Sequence, residues 1–254
     1  MLQTELDPQS PLAGTLPPRL DLDRCALFLD LDGTLANIEP TPDAVGPDSR
    51  RNTLIARLAR RLDGRLAVLS GRTIAEIDRI LDAAAHCVAG VHGLQRRTAD
   101  AVRVDQPAHP MLDTADGMLT SFAASHRGLL LERKPGALAL HYRGHPPAEE
   151  ACLELAHRIS AAYGLTVQEG QMVVELRTPG PDKGDALLAF MAEPGFGGMV
   201  PVMIGDDLTD EHAFIAADSL GGFGILVGDA RPTAARYRLQ DPDAVLAWLE
   251  EAGR

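Results

Sequence analysis

The chain has 254 residues, of which 45% are hydrophobic and 24% charged, a composition ordinary for a soluble globular protein with a substantial core. Its formal net charge of −12 disfavours binding to nucleic acid or to an anionic membrane surface, but it allows an anionic small molecule in a locally positive pocket. Three scattered cysteines, no signal pattern at the amino terminus and no long apolar run predict a cytoplasmic protein with reduced thiols.

The amino-terminal part of the chain divides into a leader and a region of alternating elements. Residues 1–22 contain four prolines and little periodicity, which predicts a mobile leader. From residue 23 to 107, short apolar runs alternate with helical periodicity, which indicates a parallel sheet with crossover helices. The predicted strands are 26–29, 65–69 and 87–89, and the predicted helices are 50–62 and 73–84.

The pattern changes over residues 108–178, where strands occur in pairs and the alternation is lost. The predicted helices there are 111–124 and 148–162, and the predicted strands are 129–133, 137–142, 166–169 and 172–177. The first pattern resumes in residues 179–254, with helices at 183–191, 211–217 and 242–251 and strands at 200–204 and 224–227. The predicted fold class is therefore α/β, a doubly wound parallel-sheet (Rossmann-like) core domain with an inserted smaller α+β domain.

Two groups of acids follow predicted strands. Asp30 and Asp32 come directly after the first apolar run, and Asp206, Asp207 and Asp210 follow the strand at 200–204. Because the carboxyl ends of parallel strands share one edge of a sheet, these acids are expected to converge there, around an ion such as Mg²⁺. Two plainer interpretations remain open: a solvated Asp-Gly turn at the first group, and an acidic helix start at Asp210 and its neighbour Glu211.

Two further segments suit an anion. Ser70 and Gly71 follow the second apolar run and precede a helix, and Lys183 opens a helix whose dipole disfavours a cation at that end. An ordinary N-cap serine and a solvated lysine are the alternatives. Taken with the acids, these groups could neutralise a phosphate ester and allow Asp30 to attack it, with Asp32 as acid and base.

The four segments together resemble the haloacid dehalogenase-like phosphatase superfamily. Its ordered motifs correspond to Asp30-Leu-Asp32-Gly-Thr, Ser70-Gly-Arg72, Lys183-Gly and Gly-Asp206-Asp207-Leu-Thr-Asp210. The resemblance implies that Asp30 is the nucleophile and Asp32 the acid and base. It also implies Mg²⁺ bound by the Asp30 carboxylate, the Asp32 carbonyl and Asp206, with help from Asp207 or Asp210. Residues 108–178 occupy the position of the superfamily's cap domain.

The finer pattern is similar to that of the trehalose-6-phosphate phosphatase family. The matching runs are Gly90-Val-His92-Gly93, Leu131-Glu132-Arg133-Lys134, Leu140-His141-Tyr142-Arg143 and Val174-Glu175-Leu176-Arg177. By this resemblance Glu132, Lys134, Arg143 and Glu175 contact the substrate from the cap, and Gly71, Arg72 and His92 complete the substrate-binding set. The alternative for the cap charges is a polar sheet face with cross-strand ion pairs. Leu94 and Gln95 depart from the family, which has a small residue and an acid there.

The function implied by this resemblance is Mg²⁺-dependent hydrolysis of trehalose 6-phosphate to trehalose and phosphate through an aspartyl-phosphate. The alternatives are a phosphatase of another sugar phosphate, a hexose phosphomutase, and a sugar-phosphate sensor without catalytic activity. The expected partner is a small-molecule sugar phosphate, with neither nucleic acid nor membrane, and a monomer is favoured.

Overall fold

The computed structural model of the protein describes residues 15–253, so residues 1–14 of the predicted leader lie outside the described residues. The chain forms two compact units: one extends to Arg103 and resumes at Asp182, and the other is Val104–Pro181. The sequence predicts the insertion at 108–178. Within the described end of the predicted leader, Leu20 and Leu22 are buried and belong to the apolar core of the first unit.

The elements before the insertion belong to the first unit, except that the last of these strands crosses the boundary between the two units. They are β1 (Cys25–Leu29), α1 (Ser49–Arg61), β2 (Leu66–Leu69), α2 (Ile74–Leu81), β3 (Cys87–Gly90), β4 (Gln95–Arg97) and β5 (Arg103–Asp105). The second unit contains α3 (Leu112–Ser125), β6 (Leu130–Lys134), β7 (Ala137–His141), α4 (Glu149–Tyr163), β8 (Thr166–Gly170) and β9 (Val173–Arg177). The chain then continues with α5 (Lys183–Met191), β10 (Val200–Gly205), α6 (Glu211–Ser219), β11 (Phe223–Val227), β12 (Tyr237–Leu239) and α7 (Pro242–Ala252).

The sheet of the first unit has the order β12-β11-β10-β1-β2-β3-β4, with the short β5 at its edge where the chain leaves the unit. All pairs from β12 to β3 are parallel, and β4 pairs antiparallel to β3. Every residue of β1, β2 and β3 is buried, as continuous apolar strands covered on both faces should be.

Helices cover both faces of this sheet. One apolar cluster joins it to α1, α2 and α7 through residues such as Leu58, Ile77 and Leu249. A second cluster joins the other face to α5 and α6 through Phe190 and Phe214. The predicted doubly wound α/β core is therefore confirmed. The strands β4, β5 and β12 have three residues each and no apolar run, so the sequence pattern did not predict them.

The second unit is an antiparallel sheet of order β6-β7-β9-β8 with two helices. Leu138, Leu140 and Leu176 pack in one apolar cluster with residues of α3 and α4, such as Leu119 and Ile159. Because side chains alternate along a strand, the opposite face of the sheet carries Glu132 and Lys134 of β6 and Glu175 of β9. Among residues 15–253, no helix combines the length and the apolar character that crossing a bilayer requires.

Candidate active site

The acids of the first unit come together at the carboxyl ends of its central strands. β1 lies between β10 and β2, so the loops after these three strands are neighbours. Asp30 follows β1, and its backbone N–H donates to the carbonyl of Ile204 in β10 at 2.9 Å. Asp206 follows β10 directly. The carboxylates of Asp30, Asp206 and Asp210 each place an oxygen within 4.8 Å of the other two.

A single buried lysine contacts this cluster. The Lys183 ammonium lies 2.7 Å from Oδ1 of Asp30 and 2.6 Å from Oδ1 of Asp210. Three carboxylates and one ammonium leave two negative charges without compensation in a site where Asp30, Asp210 and Lys183 are buried. Burial raises the pKa of Asp30 against the attraction of Lys183, and burial also raises the pKa of Asp206. A divalent cation would supply the missing charge.

Lys183 is placed by the start of α5. Asp182 caps this helix in a capping box with Asp185, and Lys183 is its first residue, with the side chain 3% exposed. The chain has 24 basic residues, and Lys134 and Lys183 are its two lysines. A compact ammonium is suited to lie between two carboxylates, whereas the wider arginine guanidinium favours planar contacts.

The three acids differ in the lone pairs that remain for a cation. Oδ1 of Asp210 accepts from Lys183, and its Oδ2 accepts the backbone N–H groups of Asp206 and Asp207, both at 3.0 Å. Oδ1 of Asp206 is buried and has no hydrogen-bond partner among the described residues. Because carboxylate oxygens are the ligands that Mg²⁺ prefers, and one of them lacks a donor, the residues present fit such an ion.

The side chain of Asp207 contacts a different group. Its Oδ1 accepts the N–H of Leu208 at 2.7 Å and caps the short turn at 208–210. It is not one of the three clustered acids. The backbone of the cluster is tightly packed, since a Cβ at Gly33 would lie 2.1 Å from the Asp206 carboxylate and its φ is +80°. A larger residue at position 33 would therefore be strained by the positive φ and would also clash with Asp206.

Asp32 is held by Arg72 in a bidentate ion pair. The guanidinium donates to both carboxylate oxygens at 2.7 Å, and it also donates to the carbonyl of Pro42. The side chain of Asp32 is 35% exposed, against 9% for that of Arg72. The sequence predicts that Arg72 contacts substrate, and in the structure its guanidinium lies against the carboxylate of Asp32.

The loops after β2 and β3 pack against each other. The N–H groups of Val91 and His92 donate to the carbonyls of Arg72 and Ser70 at 2.8 and 2.9 Å. Gly71 allows this approach, because a Cβ there would lie 2.4 Å from Nε2 of His92. Val91 and His92 have φ values of +47° and +54°, which are strained for residues other than glycine. The hydroxyl of the buried Ser70 accepts the N–H of Arg72 at 3.2 Å.

The departure at Leu94 and Gln95 has a structural role. Leu94 is buried, and Oε1 of Gln95 accepts the N–H of Ile74, the first residue of α2, at 3.1 Å. The Gln95 amide thus satisfies a backbone donor of the helix that follows the Ser70 loop.

The charged residues predicted in the insertion lie on one face of its sheet. Lys134 donates to Glu175 at 3.0 Å and lies 3.8 Å from Glu132, whose carboxylate is 2.8 Å from His141. Between the charged strands, β7 contributes the small residues Ala137 and Ala139 to this face. Arg143 follows β7, is exposed and donates to the carbonyl of Gln171.

Sequence reasoning missed one pair beside the acid cluster. Arg231 pairs with Glu211 and donates to the backbone carbonyls of Asp206 and Asp207. Glu211 stands directly after Asp210 and could be interpreted as an acidic helix start. No motif distinguishes Arg231 from the other arginines of the chain.

A sequence model described as trehalose-phosphatase matches residues 28–243. The trehalose-6-phosphate phosphatase of Escherichia coli (strain K12) is 40% identical over 228 residues, which are 89% of this chain and 85% of that protein. The crystal structure of a trehalose-6-phosphate phosphatase related protein is similar, with a TM-score of 0.76 and 27% identity over 89% of this chain and 96% of that one. A haloacid dehalogenase-like hydrolase from Bacteroides thetaiotaomicron is similar in fold, with a TM-score of 0.59 and 17% identity over 90% of this chain and 99% of that one.

Proposed function

Since this chain belongs to the trehalose-phosphatase family, as its motifs predict, we propose that it hydrolyses trehalose 6-phosphate to trehalose and inorganic phosphate. The observation that carries the proposal is the contact of Lys183 with both Asp30 and Asp210, beside Asp206, at the carboxyl ends of β1 and β10. This arrangement combines a nucleophilic carboxylate with the positive charge that a phosphate ester needs.

Asp30 is the proposed nucleophile and Asp32 the proposed acid and base. A carboxylate oxygen of Asp30 attacks phosphorus while the bond to the sugar oxygen breaks, and the Asp32 carboxyl gives its proton to that oxygen. Asp32 then takes a proton from water, the hydroxide attacks phosphorus, and phosphate leaves Asp30. Arg72 donates to one lone pair on each carboxylate oxygen of Asp32 and so orients the carboxylate. The second lone pair of each oxygen stays available for a proton.

The cofactor proposed for this reaction is Mg²⁺. Asp30 and Asp206 are the side chains that would hold it, because Oδ1 of Asp206 is buried without a donor and both oxygens of Asp210 already accept hydrogen bonds. In this arrangement Asp210 supports the site by fixing Lys183 and the turn after β10. A bound magnesium ion supplies positive charge that lets an anionic nucleophile and an anionic phosphate approach. Lys183 supplies the remaining charge from the side of α5.

The remaining predicted residues are proposed to bind substrate. Ser70, Gly71 and His92 lie in the packed loops after β2 and β3, and the hydroxyl of Ser70 is the proposed donor to the phosphate. Glu132, Lys134 and Glu175, with Arg143 nearby in sequence, provide the acceptors and donors that a disaccharide phosphate requires. The paired contacts among the first three show that these charges are held in fixed positions on the sheet face of the second unit.

The proposed setting is a cytoplasmic monomer with reduced thiols. All three cysteines are buried and free, and burial raises the pKa of Cys25 to about 12 and that of Cys87 to about 11. Such thiols are unreactive near neutral pH, which supports a role in packing. Location and oligomeric state stay predictions.

The test is phosphate release from a panel of sugar phosphates with Mg²⁺ or with excess chelator. We expect kcat/KM for trehalose 6-phosphate to exceed that for glucose 6-phosphate by at least about 100-fold, since a site that hydrogen-bonds a substrate group rejects analogues that lack it. Chelation should abolish release. Equal rates on both esters would exclude the proposed substrate. Isomerised sugar phosphate with little free phosphate would indicate a mutase, and binding without turnover would indicate a sensor.

A further inference from the structure

The turn formed by Asp206 and Asp207 has all of its backbone polar groups bound to side chains. Both N–H groups donate to Oδ2 of Asp210 at 3.0 Å. Both carbonyls accept from Nη2 of Arg231, at 3.2 and 3.0 Å. The N–H of Asp210 also donates to the carbonyl of Asp207 at 3.1 Å. One carboxylate, one guanidinium and this backbone bond therefore fix the conformation of the two residues.

Arg231 is in turn held by a buried acid. Its Nη1 donates to Oε1 of Glu211, whose side chain is 7% exposed. Glu211 also accepts the hydroxyl of Thr233 at 2.9 Å and the N–H of Ala234 at 2.8 Å. Because these donors come from the loop that carries Arg231, the carboxylate anchors the whole loop beside the turn.

We propose that Arg231, anchored by Glu211, is a positioning residue that presets the turn so that the Asp206 carboxylate meets the cation without rearrangement. This inference rests on the proposed Mg²⁺ site. Some groups do not touch the metal but hydrogen-bond to its ligands and orient them. Removing such a group lowers metal affinity by about 10- to 100-fold. A guanidinium suits this position, since its planar fork reaches one carboxylate and two carbonyls at once, whereas an ammonium offers a single point of contact.

The direct measurement is cation affinity of the substrate-free protein. Mn²⁺ shares the preference of Mg²⁺ for oxygen ligands, and its free concentration is measured by electron paramagnetic resonance during a titration, with Mg²⁺ as competitor. We expect Arg231→Gln to weaken Mn²⁺ binding about tenfold, and Arg231→Lys to weaken it by a similar factor. The control is Arg236→Gln, because Arg236 pairs with the exposed Asp218 and should leave affinity unchanged.

The outcomes separate this inference from the proposed function. Wild-type affinity in both Arg231 variants would overturn the positioning role while leaving the cation site intact. A wild-type protein that binds no Mn²⁺ would overturn the cation site itself, and this inference with it. Should Arg231→Gln not fold, Arg231→Lys keeps the charge and decides the question.

Glu211 is tested through the same titration. Glu211→Gln keeps an acceptor for Ala234 but loses the charge that anchors Arg231, so a smaller loss of affinity is expected. Because Glu211 acts through Arg231, the double variant Glu211→Gln/Arg231→Gln should bind no more weakly than Arg231→Gln alone. Fully additive losses would show that the two residues act separately.

Discussion

The clustered acids of the first unit follow strand ends, whereas the charged residues on the sheet face of the second unit lie within strands. Asp30 and Asp206 follow β1 and β10, and backbone bonds and a buried lysine hold them. Lys134 and Glu175 lie inside β6 and β9, and side-chain contacts hold them. Strand ends place reactive groups with the precision of the backbone, whereas the charged groups on the sheet face are positioned by their contacts with one another. We therefore expect chemistry to depend on the first region and selectivity on the second.

The largest effect is expected for Asp30→Asn. An amide is a poor nucleophile, so turnover of every phosphate ester should fall by about 10⁴-fold or more. Initial-rate assays with trehalose 6-phosphate and with a generic aryl phosphate measure this. Asp63→Asn is the control, since Asp63 is exposed and asparagine tolerates its φ of +51°. Activity near that of wild type would refute the assignment of the nucleophile.

Removing the ammonium group of Lys183 should impair both activity and stability. In Lys183→Met, Asp30 and Asp210 lose their shared partner, so the free energy of unfolding should decrease by about 3 kcal/mol. Turnover should fall by about 10³-fold, because the transition state loses a preorganised charge. Denaturant unfolding with and without Mg²⁺ checks this, and added Mg²⁺ should stabilise the variant more than the wild type. Lys134→Met provides the matched control, and equal unfolding curves for the two variants would contradict the expectation.

A smaller and selective effect is expected on the sheet face of the second unit. Lys134→Ala should lower kcat/KM for trehalose 6-phosphate by about 100-fold, the cost of a lost charged hydrogen bond. Hydrolysis of the aryl phosphate should change little. The matched control is Arg133→Ala on the same strand, whose side chain pairs with Asp116. A comparable loss on both substrates would show that this face does not determine selectivity.

The smallest effect concerns the cap of α5. A hydrogen bond to Asp182 raises the pKa of His212, so the protonated pair stabilises the protein below pH 6.5, the usual value for histidine. This contribution is lost as the pH rises through the higher pKa of the folded state. The side chain of His212 is 65% exposed, so His212→Gln should cost at most about 0.5 kcal/mol at pH 6 and nothing at pH 9. Denaturant unfolding at the two pH values, with His86→Gln as control, tests this, and a pH-independent difference would exclude the pair as its cause.

Much of the fold was accessible from local patterns. Continuous apolar runs predicted β1, β2, β3, β10 and β11, because strands buried on both faces need no polar residues. The sequence did not predict three-residue strands such as β4 and β12, because tertiary pairing alone stabilises them. In the same way, the convergence of Asp30 with Asp206 follows from the rule that parallel strands share one edge.

What the sequence determined by itself was the helices and the longer strands, the edge where the acids meet, and the family whose motifs those acids match. Only the tertiary structure decided which charge meets which: that Arg72 binds Asp32, that Lys183 bridges Asp30 and Asp210, and that Arg231 supports the turn after β10. The physical reason is the separation along the chain over which each kind of interaction acts. Hydrophobic periodicity acts over a few neighbouring residues, whereas an ion pair depends on the distance between atoms that the chain brings together from far apart.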